Sequence, residues 1–480
     1  MQEYVTYEAF GAAGDGKTDD MAAIVSAHAY ANEHHLPVRA AADASYYIGG
    51  HDLTAVIKTD TDWNTARFLV DNTSVENKDQ TLFLVPETYT AEPLSLTSLK
   101  REQKRLDRTF PGTCLVSVRD ETRRNYIRKG PNQSNGAPVS DTFLVSADGE
   151  VLNDIMWDFP QITSATCRQI EEEPLVIRGG HFTTIANQRP SAYTYYARDI
   201  WVRRSHTTLS GITHRIMGEG EHGAPYGGFL RVSGCAYVTL SDCSLTGHKI
   251  YITQGVGSKV PMGSYDISLG GAAFVTLSGI TQVQDIMDNT RWGLMGSNYC
   301  KDITLENCVM SRFDAHMGVT NATVRGCRLG WQRVEAIGMG HFLVEDSEIS
   351  GWNFIQLRHD YGGHWDGEMT IRHCVFRPTG EHPSILSGAN DEDHDFGYPC
   401  KMPHTLTIDG LTVICGEETK DVACLGNYRS PAPDAPRPYP YEPTHLLRVR
   451  GLQCTDGREV MICRTPSLFP DLAVEKDFTD

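Results

Sequence analysis

The segments "CAYVTLSDC" (residues 235–243) and "CKDITLENC" (residues 300–308) are near copies of each other. Each alternates apolar and polar residues, is rich in β-branched side chains, and ends in turn-forming residues, which is the pattern of a short β-strand closed by a turn. Related segments are found along much of the chain: "TTLSGI" (207–212), "VTLSGI" (275–280), "ATVRGC" (322–327), "FLVEDS" (342–347), "MTIRHC" (369–374) and "LTIDGL" (406–411). A strand that recurs in this way predicts a repetitive β-architecture.

The spacing of the repeats specifies which architecture. Cys308 and Cys327 are 19 residues apart, Cys327 and Ser347 are 20 apart, and the other gaps of about 27 to 37 residues fit coils with inserted loops. Self-similarity at this period indicates a solenoid. Strands this short, with almost no amphipathic helix between them, exclude leucine-rich and helical repeats. The sequence therefore predicts an all-β parallel β-helix, in which Cys243, Cys308, Cys327 and Cys374 point inward.

The stretch "GAAGDGKTDD" (residues 11–20) fits the phosphate-loop pattern G-x-x-x-x-G-K-[ST]. A solenoid has no alternating βα sheet to carry such a loop, and we find no strand that ends in a Mg²⁺-binding aspartate. We interpret Thr18 as a helix N-cap, with Asp19 and Asp20 in the first helical turn. Their carboxylates would repel a phosphate, so we expect no nucleotide binding.

The longer stretch "FGAAGDGKTDDMAAIVSA" (residues 10–27) resembles the opening signature of the pectate-lyase-like right-handed β-helix superfamily. That superfamily includes family 28 glycoside hydrolases, alginate epimerases and phage tailspikes. The resemblance implies an N-terminal capping helix and a carbohydrate as the substrate class. The N-T-D, D-D, G-H-G and R-I-K signatures of the family 28 hydrolases are not found in order, so the resemblance assigns no catalytic role to a particular residue.

The chain is predicted to be a single β-helix domain over residues 1–480. Within it, residues 1–75 would form the N-terminal cap and first coils, and residues 85–165 an inserted excursion packed against the helix. Regular coils are expected over residues 170–415, followed by a closing segment over residues 416–480.

The net charge and the cysteine pattern disfavour several classes of binding partner. The net charge of −18 disfavours nucleic acid and anionic membrane surfaces, because both would be repelled. The 13 cysteines include no C-x-x-C pair, which disfavours a zinc ribbon or redox motif and predicts buried free thiols. We expect no cofactor. If Met1 is the native start, the protein is predicted to be cytoplasmic; if a signal peptide was removed, secreted or periplasmic.

Side chains that share an offset within successive coils stack on one another, about 4.8 Å apart. Counted from the ends of the repeats, Asp288, His316 and Glu335 share offset eight, while Asp314 lies at offset six. The candidate catalytic residues are Asp314, Glu335, His316 and Asp360, and the candidate substrate-binding residues are Arg358, Asp288, Arg291, Trp292, Trp331, Tyr361 and Trp365. Trp352 joins the aromatic residues that are expected to rim the groove.

Paired carboxylates beside flat aromatic faces are typical of glycosidic cleavage, in which one acid protonates the leaving oxygen and the other activates water or attacks the sugar. We therefore predict a glycoside hydrolase or transglycosylase in which Asp314 and Glu335 face an outer groove and removal of either leaves folding intact. One alternative is a polysaccharide lyase that uses arginine, histidine or tyrosine on a uronate-containing glycan. Another is a non-catalytic glycan-binding or tailspike-like protein, and a homotrimer is possible.

Three further polar segments are candidate cation or substrate sites. His214, Glu219, Glu221 and His222 form a second polar loop that could complete a substrate pocket, but their spacing matches no strong metal signature. "HDYGGHWDG" (359–367) and "NDEDHDF" (390–396) could each hold a cation, and a solvated loop is preferred for the second. The sequence thus predicts no metal site.

Overall fold

A computed structural model describes residues 4–191, 195–220, 223–254, 259–426 and 436–479. They form a right-handed parallel β-helix with one α-helix near the N-terminus, so the predicted fold class is confirmed. Two compact units can be distinguished, the first comprising residues 1–90 and 170–295 and the second residues 91–169 and 296–480. No helix in the described ranges has both the length and the apolar character needed to cross a membrane.

The first unit contains the α-helix Met21–His34 and the short 3-10 helix Glu8–Phe10. Its strands are Asp15–Asp19, Val38–Arg39, Ser45–Ile48, Ala55–Val56, Thr61–Asp62, Arg67–Asp71, Phe83–Val85, Leu175–Arg178, His181–Ile185, Ile200–Val202, Thr207–Ser210, Thr213–Met217, Leu230–Ser233, Ala236–Ser241, Ser244–Leu245, His248–Lys249, Tyr251–Gln254, Lys259–Met262, Ile267–Gly270, Ala273–Ser278, Thr281–Gln282 and Arg291–Gly293.

The helix begins later than the sequence analysis predicted. Asp20, not Thr18, occupies the N-cap position of Met21–His34, and Thr18 lies in the strand Asp15–Asp19. The cause is local hydrogen bonding. The carboxylate of Asp15 accepts hydrogen bonds from the backbone N–H groups of Lys17 and Thr18, both at 2.8 Å, and from the Thr18 hydroxyl at 3.0 Å.

Other amides of the same loop are also bound to a carboxylate. Asp20 accepts hydrogen bonds from the backbone N–H groups of Ala13 at 2.7 Å and Gly14 at 3.2 Å. A phosphate loop needs such amides for its ligand. In this loop they serve the protein's own aspartates, which supports the interpretation that the motif match is accidental.

The repeated segments of the first unit align as identical pairs. In the parallel pairing of Ala236–Ser241 with Ala273–Ser278, Val238 lies opposite Val275 and Leu240 opposite Leu277. These four side chains are buried, as is expected for the inward positions of a strand with period two. The repeat in the sequence is therefore a stack of inward-facing apolar side chains.

The second unit contains the 3-10 helices His359–Tyr361 and Pro466–Leu468. Its strands are Glu92–Pro93, Cys114–Asn125, Ala137–Val145, Ser164–Gln169, Met295–Glu306, Val309–Met310, Phe313–Arg325, Arg328–Leu329, Val334–Ala336, Gly338–Glu345, Glu348–Gly351, Asn353–Leu357, Trp365–Pro378, Ser384–Ser387, Thr405–Val413, Ala423–Gly426, Leu446–Cys454, Met461–Cys463 and Ala473–Lys476.

The first four of these strands form a separate antiparallel sheet. Cys114–Asn125 pairs with Ala137–Val145 on one side and with Ser164–Gln169 on the other. A cluster of buried apolar side chains, among them Phe143 and Phe159, holds this sheet together. The sheet supplies the segment around Lys129 that is described below.

The coils of the second unit have an inner stack and an outer ladder. Cys308, Cys327 and Cys374 are buried, as is Cys243 in the first unit, which confirms that the four cysteines point inward. On the outer face, successive register partners alternate in charge: Glu306, Arg325, Glu345, Arg372, Asp409 and Arg450. Arg325 contacts Glu306 at 3.2 Å, and Arg450 contacts Asp409 at 2.7 Å. We call this row the ionic ladder.

Candidate functional site

Polar residues are stacked along one set of parallel strands in the second unit. Asp314 lies opposite Glu335, Glu335 opposite Gln356, and Gln356 opposite Ser387. The preceding residue in each strand is a buried apolar one: Phe313, Val334, Ile355 and Leu386. Asp314 and Glu335 therefore lie side by side on adjacent strands, because the period of two brings both to the same face.

Two arginines connect the stacked carboxylates. The Nη2 atom of Arg312 lies 2.7 Å from Asp314 Oδ2 and 2.7 Å from Glu335 Oε2. Arg358 donates to Asp314 Oδ1 at 3.0 Å, and its Nε and Nη2 atoms donate to the two oxygens of Asp360 at 3.2 and 2.8 Å. We call these five residues the arginine–carboxylate cluster.

The members of the cluster differ in exposure. Asp314 is fully buried, because guanidinium groups lie against both of its oxygens. The prediction that Asp314 faces an outer groove is therefore wrong. Because removal of one partner of a buried ion pair leaves the other uncompensated, we expect replacement of Asp314 to destabilise the fold. The side chains of Glu335 and Asp360 are 21% and 17% exposed, so these two carboxylates reach solvent.

Electrostatics keep Asp360 ionised. Its burial acts to raise the pKa, but the charge and hydrogen bonds of Arg358, joined by the charge of Arg128, outweigh burial and hold the pKa at about 2. Arg128 Nη2 lies 2.8 Å from Asp360 Oδ2. At neutral pH this carboxylate is an anion and donates no proton.

His316, also a candidate catalytic residue, lies next to the cluster and is uncharged. Burial of the ring, reinforced by the positive charge of Arg358, lowers the pKa of His316 to about 3. Its Nδ1 atom is 2.9 Å from the side-chain oxygen of Asn298. A neutral imidazole held in this way fixes local geometry.

Asp360 lines a pocket with a volume of about 840 Å³. Asn353, Gln356, Arg333 and Arg464 also line it. The wall includes Trp352, which is 58% exposed. The pocket therefore combines hydrogen-bonding amides, an exposed indole face, cations and a fixed anion.

In the two segments considered as cation sites, four carboxylates already contact lysine or arginine side chains. In residues 390–396, Asp391 and Asp393 both contact the ammonium of Lys129, the second at 2.6 Å. In residues 359–367, Asp360 is bound by arginines, and Asp366 contacts Arg101 and Lys401. Each of these four carboxylates is thus already paired with a lysine or arginine side chain.

Several predicted rim residues lie elsewhere. Trp365 is fully buried and packs against Phe342 with a ring-centroid distance of 5.3 Å, because it occupies an inward position of its strand. Tyr361 is also buried, with its ring against Arg128 and Arg358. Neither can rim a groove, and Trp331 is half-buried. Asp288, Arg291 and Trp292 belong to the first unit.

The first unit contains its own buried polar chain. His214 Nδ1 contacts Asp266 Oδ2 at 2.8 Å, and Asp266 Oδ1 contacts His248 Nε2 at 2.7 Å. His248 Nδ1 contacts Glu219 Oε1 at 3.0 Å, which also accepts a hydrogen bond from the Tyr251 hydroxyl at 2.7 Å. We call these residues, His214, Glu219, His248, Tyr251 and Asp266, the histidine–carboxylate network.

The network holds a proton between two carboxylates. Burial acts to lower the pKa of His248, but the charges of Glu219 and Asp266 outweigh burial and raise it to about 10. Burial acts to raise the pKa of Asp266, yet the neighbouring histidines hold it well below its usual range. Because both ring nitrogens of His248 face carboxylate oxygens, the ring is an imidazolium and offers no lone pair to a metal.

Only part of the predicted second polar loop can be located. His214 and Glu219 belong to the network, whereas Glu221 and His222 lie outside the described residues. Arg291, which the sequence analysis assigned to the substrate site, lies 3.7 Å from Glu219 and 3.5 Å from Asp288. These contacts assign Arg291 to the edge of the network.

The sequence analysis missed residues that complete both constellations. Arg312 lies two positions before Asp314 and immediately before the strand Phe313–Arg325, so its nearness to the candidate carboxylate was visible in the sequence. His248 follows Cys243 by five residues, the same offset at which Asp285 follows Ile280. Asp266 and Lys129 lie outside the repeat, and no pattern in the sequence marks them.

No family model matches the sequence, and no curated protein matches it. Solved structures do match. The tailspike gp61 of Pseudomonas phage phi297 is 13% identical, with a TM-score of 0.54 over 94% of this chain and 80% of that chain. The tailspike gp49 of Pseudomonas phage LKA1 is 13% identical, with a TM-score of 0.53 over 93% and 81%.

A third similar structure holds a sugar. The gp54 tailspike of Acinetobacter baumannii bacteriophage AP22, solved in complex with A. baumannii capsular saccharide, is 10% identical, with a TM-score of 0.52 over 98% of this chain and 79% of that chain. At these identities the likenesses establish the fold alone.

Proposed function

We propose that this protein is a carbohydrate-active enzyme that hydrolyses, or transfers across, a glycosidic bond of a poly- or oligosaccharide in the pocket lined by Asp360. The observation that carries the proposal is the position of Arg358, which binds the buried Asp314 on one side and, on the other, Asp360, which lines the pocket of about 840 Å³. Glu335, which is partly exposed, shares the same arginines.

The two accessible carboxylates suit different steps. Asp360 remains ionised, so it can stabilise positive charge at the anomeric carbon or attack that carbon. Glu335 is 21% exposed and lies opposite the pocket-lining Gln356 on the adjacent strand, and we propose it as the carboxylate that exchanges a proton with the leaving oxygen and with water. Asp314 has no access to a substrate, and we assign it the role of a positioning residue that orients Arg312 and Arg358.

The rest of the pocket fits a sugar. Trp352 presents a flat face on which a pyranose ring can stack. The amide of Gln356, which bonds to Asn353 and to the Leu357 carbonyl, retains one N–H and one lone pair for a sugar hydroxyl. The AP22 tailspike, which shares the fold, was solved with a capsular saccharide bound. This supports a glycan ligand for the present chain without identifying the sugar.

Cleavage of a uronate-containing glycan by a lyase mechanism is the second candidate. It is favoured by the guanidinium groups of Arg333 and Arg464 at the pocket, which could neutralise a uronate carboxylate. A lyase also needs a base. The pKa of His316 is about 3, which makes it a weak base, and burial raises the pKa of Tyr361 to about 12. Hydrolysis is therefore preferred.

The test is a panel of plant, algal and bacterial glycans, followed by new reducing ends and by the ultraviolet absorbance of unsaturated uronates. Reducing ends without that absorbance indicate hydrolysis, and the absorbance indicates a lyase. On the glycan that is cleaved, Glu335→Gln and Asp360→Asn should each lower kcat by about 10³-fold. Glu306→Gln, on the ionic ladder, is the matched control and should leave kcat unchanged.

Two results would count against the proposal. Near-native turnover by both carboxylate variants would place catalysis elsewhere. Binding of a glycan in this pocket without any bond cleavage would instead identify a non-catalytic glycan-binding protein.

A further inference from the structure

We propose that Cys415, Cys454 and Asp456 form a binding site for a divalent metal ion of the zinc class in the second unit. The two Sγ atoms and a carboxylate oxygen all lie within 4.8 Å of one another. Among the described residues, this is the one group of three or more His, Cys, Asp or Glu side chains with that proximity. The site is independent of the proposed hydrolysis.

The ends of two paired strands position the ligands. Cys454 is the last residue of Leu446–Cys454, and its register partner Val413 is the last residue of Thr405–Val413. Cys415 follows Val413 by two residues. The thiols of Cys415 and Cys454 are close enough to form a hydrogen bond with each other. Strand pairing thus brings together two thiols that are 39 residues apart in the chain.

Asp456 is presented by a turn that immediately follows Cys454. Thr455 N–H donates to the Val413 carbonyl at 3.0 Å, and Gly457, with a φ of 80°, donates to the Cys454 carbonyl at 3.1 Å. The carboxylate is also paired with a cation, because Arg458 Nη2 lies 2.6 Å from Asp456 Oδ2. A metal ion would share this carboxylate with the guanidinium or displace the guanidinium. The third ligand is therefore held next to the thiols before a metal arrives.

The donor set and its accessibility fit zinc. Two thiolates and one carboxylate provide three corners of a tetrahedron, which leaves the fourth for water. Exposure increases from the buried Cys454 through the half-buried Cys415 to the exposed Asp456, which gives an ion a path from solvent. Binding converts two thiols and M²⁺ into a bis-thiolate complex and releases two protons, so affinity should rise with pH.

Such an ion would link two neighbouring coils. The metal would bind the folded chain, in which strand pairing brings Cys415 and Cys454 together, in preference to the unfolded chain, and binding would therefore stabilise the fold. We therefore infer that the metal, with water as its fourth ligand, would stabilise the pairing of the C-terminal coils.

The test uses the full chain, reduced and treated with a chelator that is then removed. Zn²⁺ is titrated by calorimetry, and Co²⁺ by its thiolate charge-transfer absorbance. We expect one metal per chain, a higher Tm with Zn²⁺, and loss of the absorbance band in Cys415→Ser and Cys454→Ser. Asp456→Asn, a change at an exposed position, should weaken affinity by at least the roughly 10-fold that removing an outer partner of a metal ligand causes.

The matched control is Cys167→Ser. Cys167 also lies within hydrogen-bonding distance of a second thiol, that of Cys114, but this pair belongs to no such three-ligand group. The variant should bind one metal with unchanged affinity. The proposal is overturned if the native chain binds no stoichiometric metal, if the Asp456 and Cys415 variants bind as the native chain does, or if Cys415 and Cys454 form a disulfide that persists under reducing conditions.

Discussion

The arginine–carboxylate cluster and the histidine–carboxylate network both neutralise buried or partly buried carboxylates, but they do so with different cations. In the cluster, Arg312 and Arg358 are cations at every relevant pH, and two of the three carboxylates reach solvent. In the network, the cation is His248, which is charged because Glu219 and Asp266 hold its proton. The cluster, with permanent charges beside a pocket, is suited to catalysis. The network, whose charges are buried and depend on a bound proton, is suited to stabilising the fold.

The largest expected difference follows from removing one buried carboxylate in the network. Asp266→Asn leaves two histidines without their shared anion, and breaking a buried ion pair in this way costs about 3–5 kcal/mol. We expect a large fall in Tm in thermal unfolding, while the kcat of the protein that remains folded stays native. Asp360→Asn should show the opposite pattern, with a large fall in kcat and a small fall in Tm.

A matched control for this pair is Asp288→Asn. Asp288 belongs to the same unit as Asp266 but is partly exposed, and its carboxylate binds Thr290 and Arg291 at the surface. Its replacement should change Tm little, because exposed ion pairs contribute about 1 kcal/mol or less. A native Tm for Asp266→Asn would show that the network is not a source of stability.

The second expected difference concerns pH. The pKa of His248 rises from 6.5 in the unfolded chain to about 10 in the folded one, so its stabilisation is complete below pH 6.5 and is lost as pH rises through about 10. The pKa of Asp360 falls from 3.8 to about 2, so its contribution is present above pH 3.8 and is lost as pH falls towards 2. The two regions thus weaken at opposite ends of the pH scale.

The measurement is Tm as a function of pH for the native chain and for His248→Gln. The variant should be less stable at pH 6 and should show a flatter decline above pH 7, since it lacks the group that titrates there. For a chain of 480 residues the conversion is about 1 °C for each kcal/mol, so the difference in slope is measurable. Parallel alkaline profiles for the two proteins would contradict the assignment of a protonated His248.

The smallest expected effect is at the pocket wall. Trp352→Ala removes an exposed indole face, so Tm should not change, while KM for the cleaved glycan should rise by about 2- to 10-fold through the loss of stacking worth about 0.5–1.5 kcal/mol. Tyr439 is the control, an exposed aromatic side chain that does not line the pocket. An equal rise in KM for Tyr439→Ala would argue against sugar stacking on Trp352.

The fold could be predicted because apolar residues and cysteines recur in the sequence with the spacing of the coils, at positions that point inward. Val238, Val275 and the buried cysteines recur where a strand of period two must point inward, and each coil needs only its neighbour to pair with. The helix start could not be predicted, because hydrogen bonds of the Asp15 carboxylate to Lys17 and Thr18 outweighed the N-cap preference of threonine.

The adjacency of Asp314 and Glu335 could be predicted from the sequence, and their exposure could not. Counting offsets brought Asp314 and Glu335 to adjacent strands, since stacking is a local property. Whether a stacked carboxylate meets solvent depends on which cations lie over it, and Arg358 reaches Asp314 from a loop two strands further along. Trp365 shows the same limit, because its strand position directs it inward despite its polar neighbours.

The ionic ladder also constrains how this solenoid can change in length. Because Glu306, Arg325, Glu345 and Arg372 alternate in sign, excising the coil that carries Arg325 would bring Glu306 against Glu345. Excising two neighbouring coils would restore opposite charges at the new junction. We expect the two-coil deletion to melt higher than the one-coil deletion, which thermal unfolding of both would show. Duplication or loss of coils should therefore be tolerated better in even numbers than in odd numbers. The alternating charges would thus favour homologues whose coil number in this part of the chain differs by two.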